Sequence, residues 1–145
     1  MTRLRRAASS DAPELAALFR HVWRASLPFL PVLHTPEEYR GFFGRAIKTQ
    51  TVWVADDGAA LIGFAAAAPG WLNHLYVDPE WQGRAVGSAL LDAAVPADEV
   101  RLWCFQQNAR ARRFCERHGF TIERETDGSG NEEREPGILY VRPAR

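Results

Sequence analysis

The sequence predicts an α/β protein with one mixed, largely antiparallel sheet of about six to seven strands and helices on both faces. Apolar segments of strand length are joined by short turns, such as Asp56-Asp57-Gly58, which favours antiparallel hairpins. Segments with helical spacing lie between them without strict alternation, which argues against a purely parallel sheet. A chain of 145 residues, of which 46% are apolar, fits one domain over residues 1–145 with a sizeable core.

Capping residues and apolar spacing indicate four helices. The first begins at Asp11-Ala-Pro13-Glu14 and the second at Thr35-Pro36-Glu37-Glu38, where an acceptor side chain is followed three residues later by glutamate. The third ends before Pro96, and the fourth runs from Asn108 to His118 with Gly119 after it. Strands are predicted at residues 3–8, 51–55, 59–68, 72–77, 99–105, 120–125 and 138–142.

The predicted strand at residues 59–68 has two unusual features. Gly63 is a candidate β-bulge, and the run Ala65–Ala68 consists of a weak strand former. Small side chains there either let a helix pack closely on the sheet or leave volume for a ligand. Close packing is the favoured explanation.

The stretch from Leu72 to Val95 is the candidate functional centre. An apolar strand ends at Asp78-Pro79, and the small-residue turn Gln82–Ser88 leads directly into an apolar helix. The free N–H groups and macrodipole of a first helical turn attract anions, and glycines let a phosphate approach the backbone. The turn therefore predicts a phosphate site, although glycine also serves turn geometry alone. Its spacing matches neither a P-loop nor a Rossmann turn.

Two motifs resemble those of the GNAT N-acetyltransferase superfamily. Leu75-Tyr76-Val77-Asp78-Pro79 followed by Gln82-x-x-Ala85-x-Gly87 resembles the acetyl-CoA-binding motif of that family. Asn108-x-x-Ala111-x-x-Phe114-Cys115-Glu116-x-x-Gly119-Phe120 resembles a second family motif, which usually has tyrosine where this chain has Cys115. The resemblance implies a GNAT-like fold, acetyl-CoA as cosubstrate and transfer of an acetyl group to an amine.

The resemblance also implies where the cofactor binds. The strands at residues 72–77 and 99–105 would be parallel neighbours that separate and admit the pantetheine arm. Asn108 would bond that arm, although asparagine is equally suited to cap the fourth helix. The implied cofactor-binding residues are Leu75, Tyr76, Val77, Gln82, Gly83, Arg84, Ala85, Val86, Gly87, Ser88 and Asn108.

Three residues are candidates for catalytic proton transfer. Asn73 and His74 lie on the central strand, where alternation sends them to opposite faces, and histidine titrates in the range that suits a general base. Cys115 stands where the family tyrosine would protonate the leaving thiolate, and a thiol has a reference pKa of about 8.5. The alternatives are a structural strand histidine and an inert buried cysteine, in which case the thiolate needs no dedicated acid.

The proline-broken apolar segment Leu27–His34 has two explanations. It is either a loop packed on the core or, as the resemblance implies, a wall of the acceptor pocket. In the second case Trp23, Phe29 and His34 bind the substrate.

The polar, glycine-rich segment 127–136 is predicted to be a mobile loop. Its glutamates at positions 132, 133 and 135 either attract a cationic amine or are simply solvated.

Composition limits the partners and the compartment. A formal net charge of zero gives no broad attraction to nucleic acid or to an anionic membrane, and the apolar runs are too short to span a bilayer. Residues 1–10 are basic without a hydrophobic segment, so we expect no secretory signal. Cys104 and Cys115 form no metal-ligand spacing with the histidines. We expect a reduced cytoplasmic protein without a metal, and the sequence leaves a homodimer open.

These observations lead to an acetyl-CoA-dependent N-acetyltransferase that acts on a primary amine, of a metabolite or of a protein, by direct attack in a ternary complex. The alternative is a noncatalytic acyl-CoA-binding or regulatory module. The reason for this alternative is that Ala85 and Cys115 differ from the residues usual in the family motifs. Because residues 85–88 lead directly into a helix, we predict a negative φ at Ala85.

Overall fold

One sheet of seven strands runs through residues 2–145, the part of the chain that the computed structural model describes. The strands are Arg3–Arg6 (β1), Thr51–Asp56 (β2), Leu61–Ala68 (β3), Trp71–Val77 (β4), Val100–Phe105 (β5), Thr121–Thr126 (β6) and Gly137–Arg142 (β7). Their order is β1-β2-β3-β4-β5-β7-β6, and all neighbours are antiparallel except β4 and β5. The predicted mixed, largely antiparallel sheet is therefore confirmed.

Helices cover both faces of this sheet, as predicted. They are Ala12–Ser26 (α1), Pro36–Thr49 (α2), Val86–Ala94 (α3) and Ala109–Arg117 (α4). The first two pack on one face over β2, β3 and β4, and α3 and α4 contribute to a separate core on the other face. Between residues 2 and 145, no helix has both the length and the apolar character needed to cross a membrane.

Small residues on β3 let helices pack closely on both of its faces. Ala65 and Ala67 are buried in the core on the α3 side, and Ala66 is buried in the core beneath α1 and α2. A Cβ at Gly63 would lie 3.1 Å from Leu90 Cδ1 of α3, so glycine permits this approach. Close packing is thus the explanation found, and the bulge lies at Ile62, beside Gly63.

Ala85 directs the chain from the turn into α3. It is the N-cap residue, with φ 66° and ψ 9°, which is the left-handed region. The predicted negative φ is therefore wrong. The helix begins at Val86, inside the segment Gln82–Ser88 that the sequence assigns to the turn. The turn needs a left-handed residue at Ala85 as well as at Gly83, where φ is 81°. An alanine in this conformation carries a steric cost, because its Cβ approaches the following carbonyl oxygen.

His74 of β4 lies within the aromatic core beneath α1 and α2. Its ring centroid is 5.6–6.2 Å from those of Phe19, Phe42, Phe43, Phe64 and Tyr76. Its Nδ1 is buried and has no hydrogen-bond partner within residues 2–145. Burial lowers the pKa of His74 to about 4, so the imidazole is neutral at physiological pH.

The substitution Ala85→Gly is expected to stabilise the protein. A left-handed alanine costs about 1–2 kcal/mol, and the greater freedom of glycine in the unfolded chain offsets part of the gain. We expect the free energy of unfolding to rise by up to about 1 kcal/mol in a denaturant titration. The matched control is Gly83→Ala, at φ 81° with open space around the new Cβ, which should lower stability. A loss of stability in Ala85→Gly would contradict the left-handed geometry.

The burial of neutral His74 predicts a loss of stability as the pH falls. The unfolded chain protonates this residue near its reference value of 6.5 and the folded chain at about 4, so the unfolded state binds more protons between these values. Stability therefore rises with pH across that window and is lost as the pH falls through it. At about 1.4 kcal/mol per pKa unit, the full contribution is roughly 3 kcal/mol.

His74→Phe should remove this contribution, because phenylalanine does not titrate. Unfolding titrations at several pH values between 4 and 6.5 should show that the free energy of unfolding of the variant, relative to that of wild type, rises as the pH falls. His21→Gln changes an exposed histidine and should follow wild type. Parallel pH profiles for wild type and His74→Phe would show that His74 is not held neutral by the fold.

Candidate functional site

The strands β4 and β5 pair at one position only. Trp71 opposes Arg101, and the Arg101 N–H donates to the Gly70 carbonyl at 3.0 Å. Beyond this point β4 pairs with β3 alone and β5 with β7 alone. The two parallel strands thus separate toward their carboxyl ends, as the resemblance implied, and one edge of the segment Leu75–Val77 lies outside the ladder.

The turn after β4 is fixed by two local hydrogen bonds. Asp78 Oδ1 accepts from the Glu80 N–H at 3.0 Å, at the start of a short 3₁₀ turn. Gln82 Nε2 donates to the Val77 carbonyl at 3.0 Å, which anchors the turn to the end of β4. Gly83 follows with open space where a Cβ would lie, so a ligand can approach its backbone.

The helix α3 presents its N-terminus to the space beyond this turn. Its first N–H groups, from Val86 to Ser88, have no intrahelical acceptors and carry the positive end of the macrodipole. Gly87 has a packing role, because a Cβ there would lie 3.3 Å from the Phe114 ring of α4. Ser88 Oγ and His118 Nε2 lie 3.0 Å apart, which joins the start of α3 to the end of α4.

Asn108 is the N-cap of α4, the role that sequence reasoning gave as its alternative. Its Oδ1 accepts from the Ala111 N–H at 3.2 Å. This leaves the Nδ2 donor as the group that can bond a ligand in the gap, so both roles are compatible.

The charges around the turn fit a phosphate-bearing cosubstrate. Arg110 of α4 contacts Gln82 Oε1, and the Arg84 guanidinium lies 5.1 Å from the Trp81 ring centroid. In the described part of the chain neither arginine forms an ion pair. Two guanidinium groups without acidic partners, a helix N-terminus and the open face of Gly83 together suit the pyrophosphate of coenzyme A.

The two titratable catalytic candidates lie on opposite faces of the sheet. Cys115 is 4% exposed in the core between α3, α4 and the sheet, and burial raises the pKa of its thiol to about 12. His74 lies in the aromatic core on the other face, with its pKa lowered by burial to about 4. The structure therefore does not bring the candidate acid and the candidate base together.

Asn73 is the extra residue of a β-bulge. Ala66 pairs with His74 and Ala67 with Leu72, which leaves Asn73 without a partner across the ladder. Its Nδ2 donates instead to Gln50 Oε1 at 2.9 Å, just after α2. The bulge interrupts the alternation on which the opposite-face prediction for Asn73 and His74 rested.

The side chain of Tyr76 is a site feature that sequence reasoning missed, since it considered only the backbone there. The ring lies on the α1 side, 5.0 Å from Phe19 and 5.7 Å from Phe64 between centroids. Burial raises the pKa of the hydroxyl, and the neighbouring Cys104 and Glu133 add to the effect. Tyr76 is thus a neutral hydrogen-bond donor beside the gap. The sequence held a signal for this position. Tyr76 lies two residues after His74 on the same strand, so the two side chains are expected on the same face of the sheet.

The segment before α2 contributes both to the core and to a half-buried aromatic wall. Leu27 and Leu30 are buried, whereas Trp23 and Phe29 each contact Phe105, the last residue of β5, with centroids 6.4 Å apart. Phe105 is a second residue that sequence reasoning missed. The packing explanation thus holds for Leu27 and Leu30, and the acceptor-pocket explanation for Trp23 and Phe29 stays a prediction.

His34 contacts Tyr39 of α2, with ring centroids 5.7 Å apart, and also the glycine-rich loop. Its Nε2 is 2.6 Å from Glu132 Oε1, and its Nδ1 is 3.5 Å from Glu38 Oε2. The imidazole therefore links the start of α2 to the loop, which brings the loop over the same end of the sheet.

A cleft of about 870 Å³ lies beneath this loop. Its lining consists of Trp103–Phe105, residues 124–127, residues 129–131, Glu133 and Gly137. Phe105 lines the cleft and contacts Trp23 and Phe29, so the cleft borders the aromatic wall.

A family model of the acetyltransferase (GNAT) domain matches residues 48–122 of this chain. These residues contain the separating strand β4, the turn, α3, and all of β5 and α4. A probable N-acetyltransferase of Mycobacterium tuberculosis is 30% identical in an alignment of 145 residues that covers 86% of this chain and 82% of that protein.

Solved structures of N-acetyltransferases have the same fold. The PaiA N-acetyltransferase of Thermoplasma acidophilum, in complex with coenzyme A, gives a TM-score of 0.78 at 21% identity over 99% of each chain. A GCN5-related N-acetyltransferase of Rhodopseudomonas palustris gives a TM-score of 0.79 at 22% identity, over 99% of this chain and 96% of that chain.

The fold, the separated strands and the relatives agree with the two sequence motifs. The chain belongs to the GNAT acetyltransferase family, and it is an N-acetyltransferase with acetyl-CoA as its cosubstrate.

Proposed function

We propose that this enzyme transfers the acetyl group to the nitrogen of a primary amine by direct attack within a ternary complex. One observation carries the proposal: two open regions meet at the carboxyl ends of β4 and β5. The unpaired edge of β4 opens toward the phosphate turn, and Phe105 at the end of β5 supports the wall formed by Trp23 and Phe29. Donor and acceptor then occupy adjoining spaces together, as direct transfer requires.

The cofactor side is assigned to groups that remain free within the fold. The N–H groups of Val86–Ser88 would hold the pyrophosphate, with Arg84 and Arg110 as counter-charges. The backbone of Leu75–Val77 and the Nδ2 of Asn108 would bond the pantetheine arm. When bound, acetyl-CoA supplies a thioester as the acyl donor.

The cysteines support direct attack over an acyl-enzyme route. Burial raises the pKa of Cys104 to about 11 and that of Cys115 to about 12. Neither is a thiolate at neutral pH, and the thiolate is the nucleophilic form. Both thiols are free and buried, which also suits a reducing compartment, and we place the reaction in the cytosol.

We assign the attack to the free amine, which the acid–base equilibrium in solution supplies without a protein base. An alkylammonium group has a pKa of about 10, which a histidine with a pKa of about 4 cannot match as a base. In this scheme His74 is a core residue, and the small fraction of the amine that is neutral in solution binds and attacks the thioester. Solvent and buffer take up the proton that the nitrogen releases after the attack. Tyr76 keeps its hydroxyl proton beside the gap, where it can donate a hydrogen bond.

The proposal predicts acetyl-CoA-dependent acetylation of primary amines, measured as the release of free coenzyme A thiol. Varying both substrates should give intersecting initial-velocity lines, because both must be bound before transfer. Phe29→Ala should raise the KM for the amine about tenfold, equal to about 1.4 kcal/mol, and leave the Kd of acetyl-CoA unchanged.

The matched control is Val32→Ala in the same segment, which truncates a side chain that is 62% exposed and should alter neither constant. Parallel velocity lines would contradict direct transfer. Equal weakening of amine and acetyl-CoA in Phe29→Ala, with a lower Tm, would identify Phe29 as a core residue and remove the acceptor wall.

A further inference from the structure

We infer that the cleft beneath the 127–136 loop binds the far end of the acceptor, and that this end carries a second positive charge. The ligand class is a small aliphatic amine whose reacting nitrogen and second cation are joined by a flexible chain. The inference rests on the proposed function, because it concerns the acceptor of the same reaction.

The floor of the cleft is an aromatic surface that already holds a cation. Trp103 is 47% exposed, although it lies on a central strand, and the Arg124 guanidinium lies 5.5 Å from its ring centroid. An indole face attracts cations through its quadrupole. Phe105 extends this aromatic surface to the wall at Trp23 and Phe29.

The charged groups of the cleft are mostly acidic. Glu125, Asp127 and Glu133 line it, whereas Arg124 is the only basic residue of the lining. A hydrogen bond from the Ser129 N–H, at 2.9 Å, lowers the pKa of Asp127 and keeps it ionised. The lining therefore carries an excess of two negative charges, which an extended dication would offset.

The loop that supplies these carboxylates is tied down by its own hydrogen bonds. Asn131 Nδ2 donates to the Glu135 carbonyl at 2.8 Å, and the Glu135 N–H donates to Asn131 Oδ1 at 3.1 Å. His34 binds Glu132 from outside the loop at 2.6 Å. Glu133 lies between these two attachment points and faces the cleft.

The cleft is also electrostatically connected to the reaction end of the site. Burial is the main cause of the raised pKa values of Tyr76 and Tyr39, and the charge of Glu133 raises both further. An amine placed at Phe105 would extend its tail toward Glu133, and about 870 Å³ suffices for a small metabolite.

Three amines of equal chain length separate tail charge from size: 1,5-diaminopentane, 1-aminopentane and 5-aminopentanoate. We expect kcat/KM to fall at least tenfold from the diamine to the monoamine, and further to the amino acid. In calorimetry without acetyl-CoA, the diamine should bind at least tenfold more tightly than the monoamine and should quench tryptophan fluorescence.

Glu133→Gln should reduce the ratio of kcat/KM for the diamine to kcat/KM for the monoamine at least fivefold. Glu37→Gln is the matched control, since it removes the same charge from the exposed face of α2, where its side chain is 75% exposed. It should leave the preference intact.

The outcomes separate this inference from the proposed function. Acetylation of all three amines with equal kcat/KM, or an unchanged diamine preference in Glu133→Gln, would overturn the inference and leave amine acetylation standing. If none of the amines is bound or acetylated while acetyl-CoA binds, the proposed function fails together with the inference.

Discussion

The single parallel pair between Trp71 and Arg101 is the constraint on which the site depends. The sheet consists of two antiparallel parts, β1 to β4 and β5 to β7, that are joined side by side only at this pair. β4 remains paired with β3 and β5 with β7 along their lengths, so the separation leaves the regular pairing within each part intact. It leaves backbone groups near Leu75–Val77 that must bond either water or a ligand. A ligand with amide groups along an extended arm can satisfy them.

Helices pack closely on both faces of the sheet beside the separated strands. Each face supplies a different part of the site. On one face, Gly63 and Gly87 let α3 approach β3 and α4, which directs the helix N-terminus toward the phosphate space. On the other face, the aromatic core around Phe19 and His74 supports the wall that borders the acceptor. The donor side is thus built from backbone and small residues, and the acceptor side from aromatic and acidic side chains.

Local patterns in the sequence were sufficient for most helices and strands and for the strand–turn–helix order from β4 to α3, because these elements are consecutive in the chain. The backbone at Ala85 was predicted wrongly, since helix propensity competes there with a turn that requires a left-handed residue. The charge state of His74 depends on Phe42 and Phe43 of α2, which are distant in sequence. Trp103 and Glu133 line the same cleft, although they are about thirty residues apart in the chain. No local periodicity in the sequence indicates that they lie together.

The most direct test of this account is an amide nitrogen–proton NMR titration with coenzyme A, which locates the ligand residue by residue. We expect large shifts for the amides of residues 75–77, 83–88 and 108–111, with the amides of β1 and β2 unchanged. We expect the same pattern, without the shifts at residues 83–88, for a pantetheine fragment that lacks the phosphates. Saturable binding of coenzyme A with unperturbed amides at residues 75–77 and 83–88 would contradict the claim that the gap between β4 and β5 is the cofactor site.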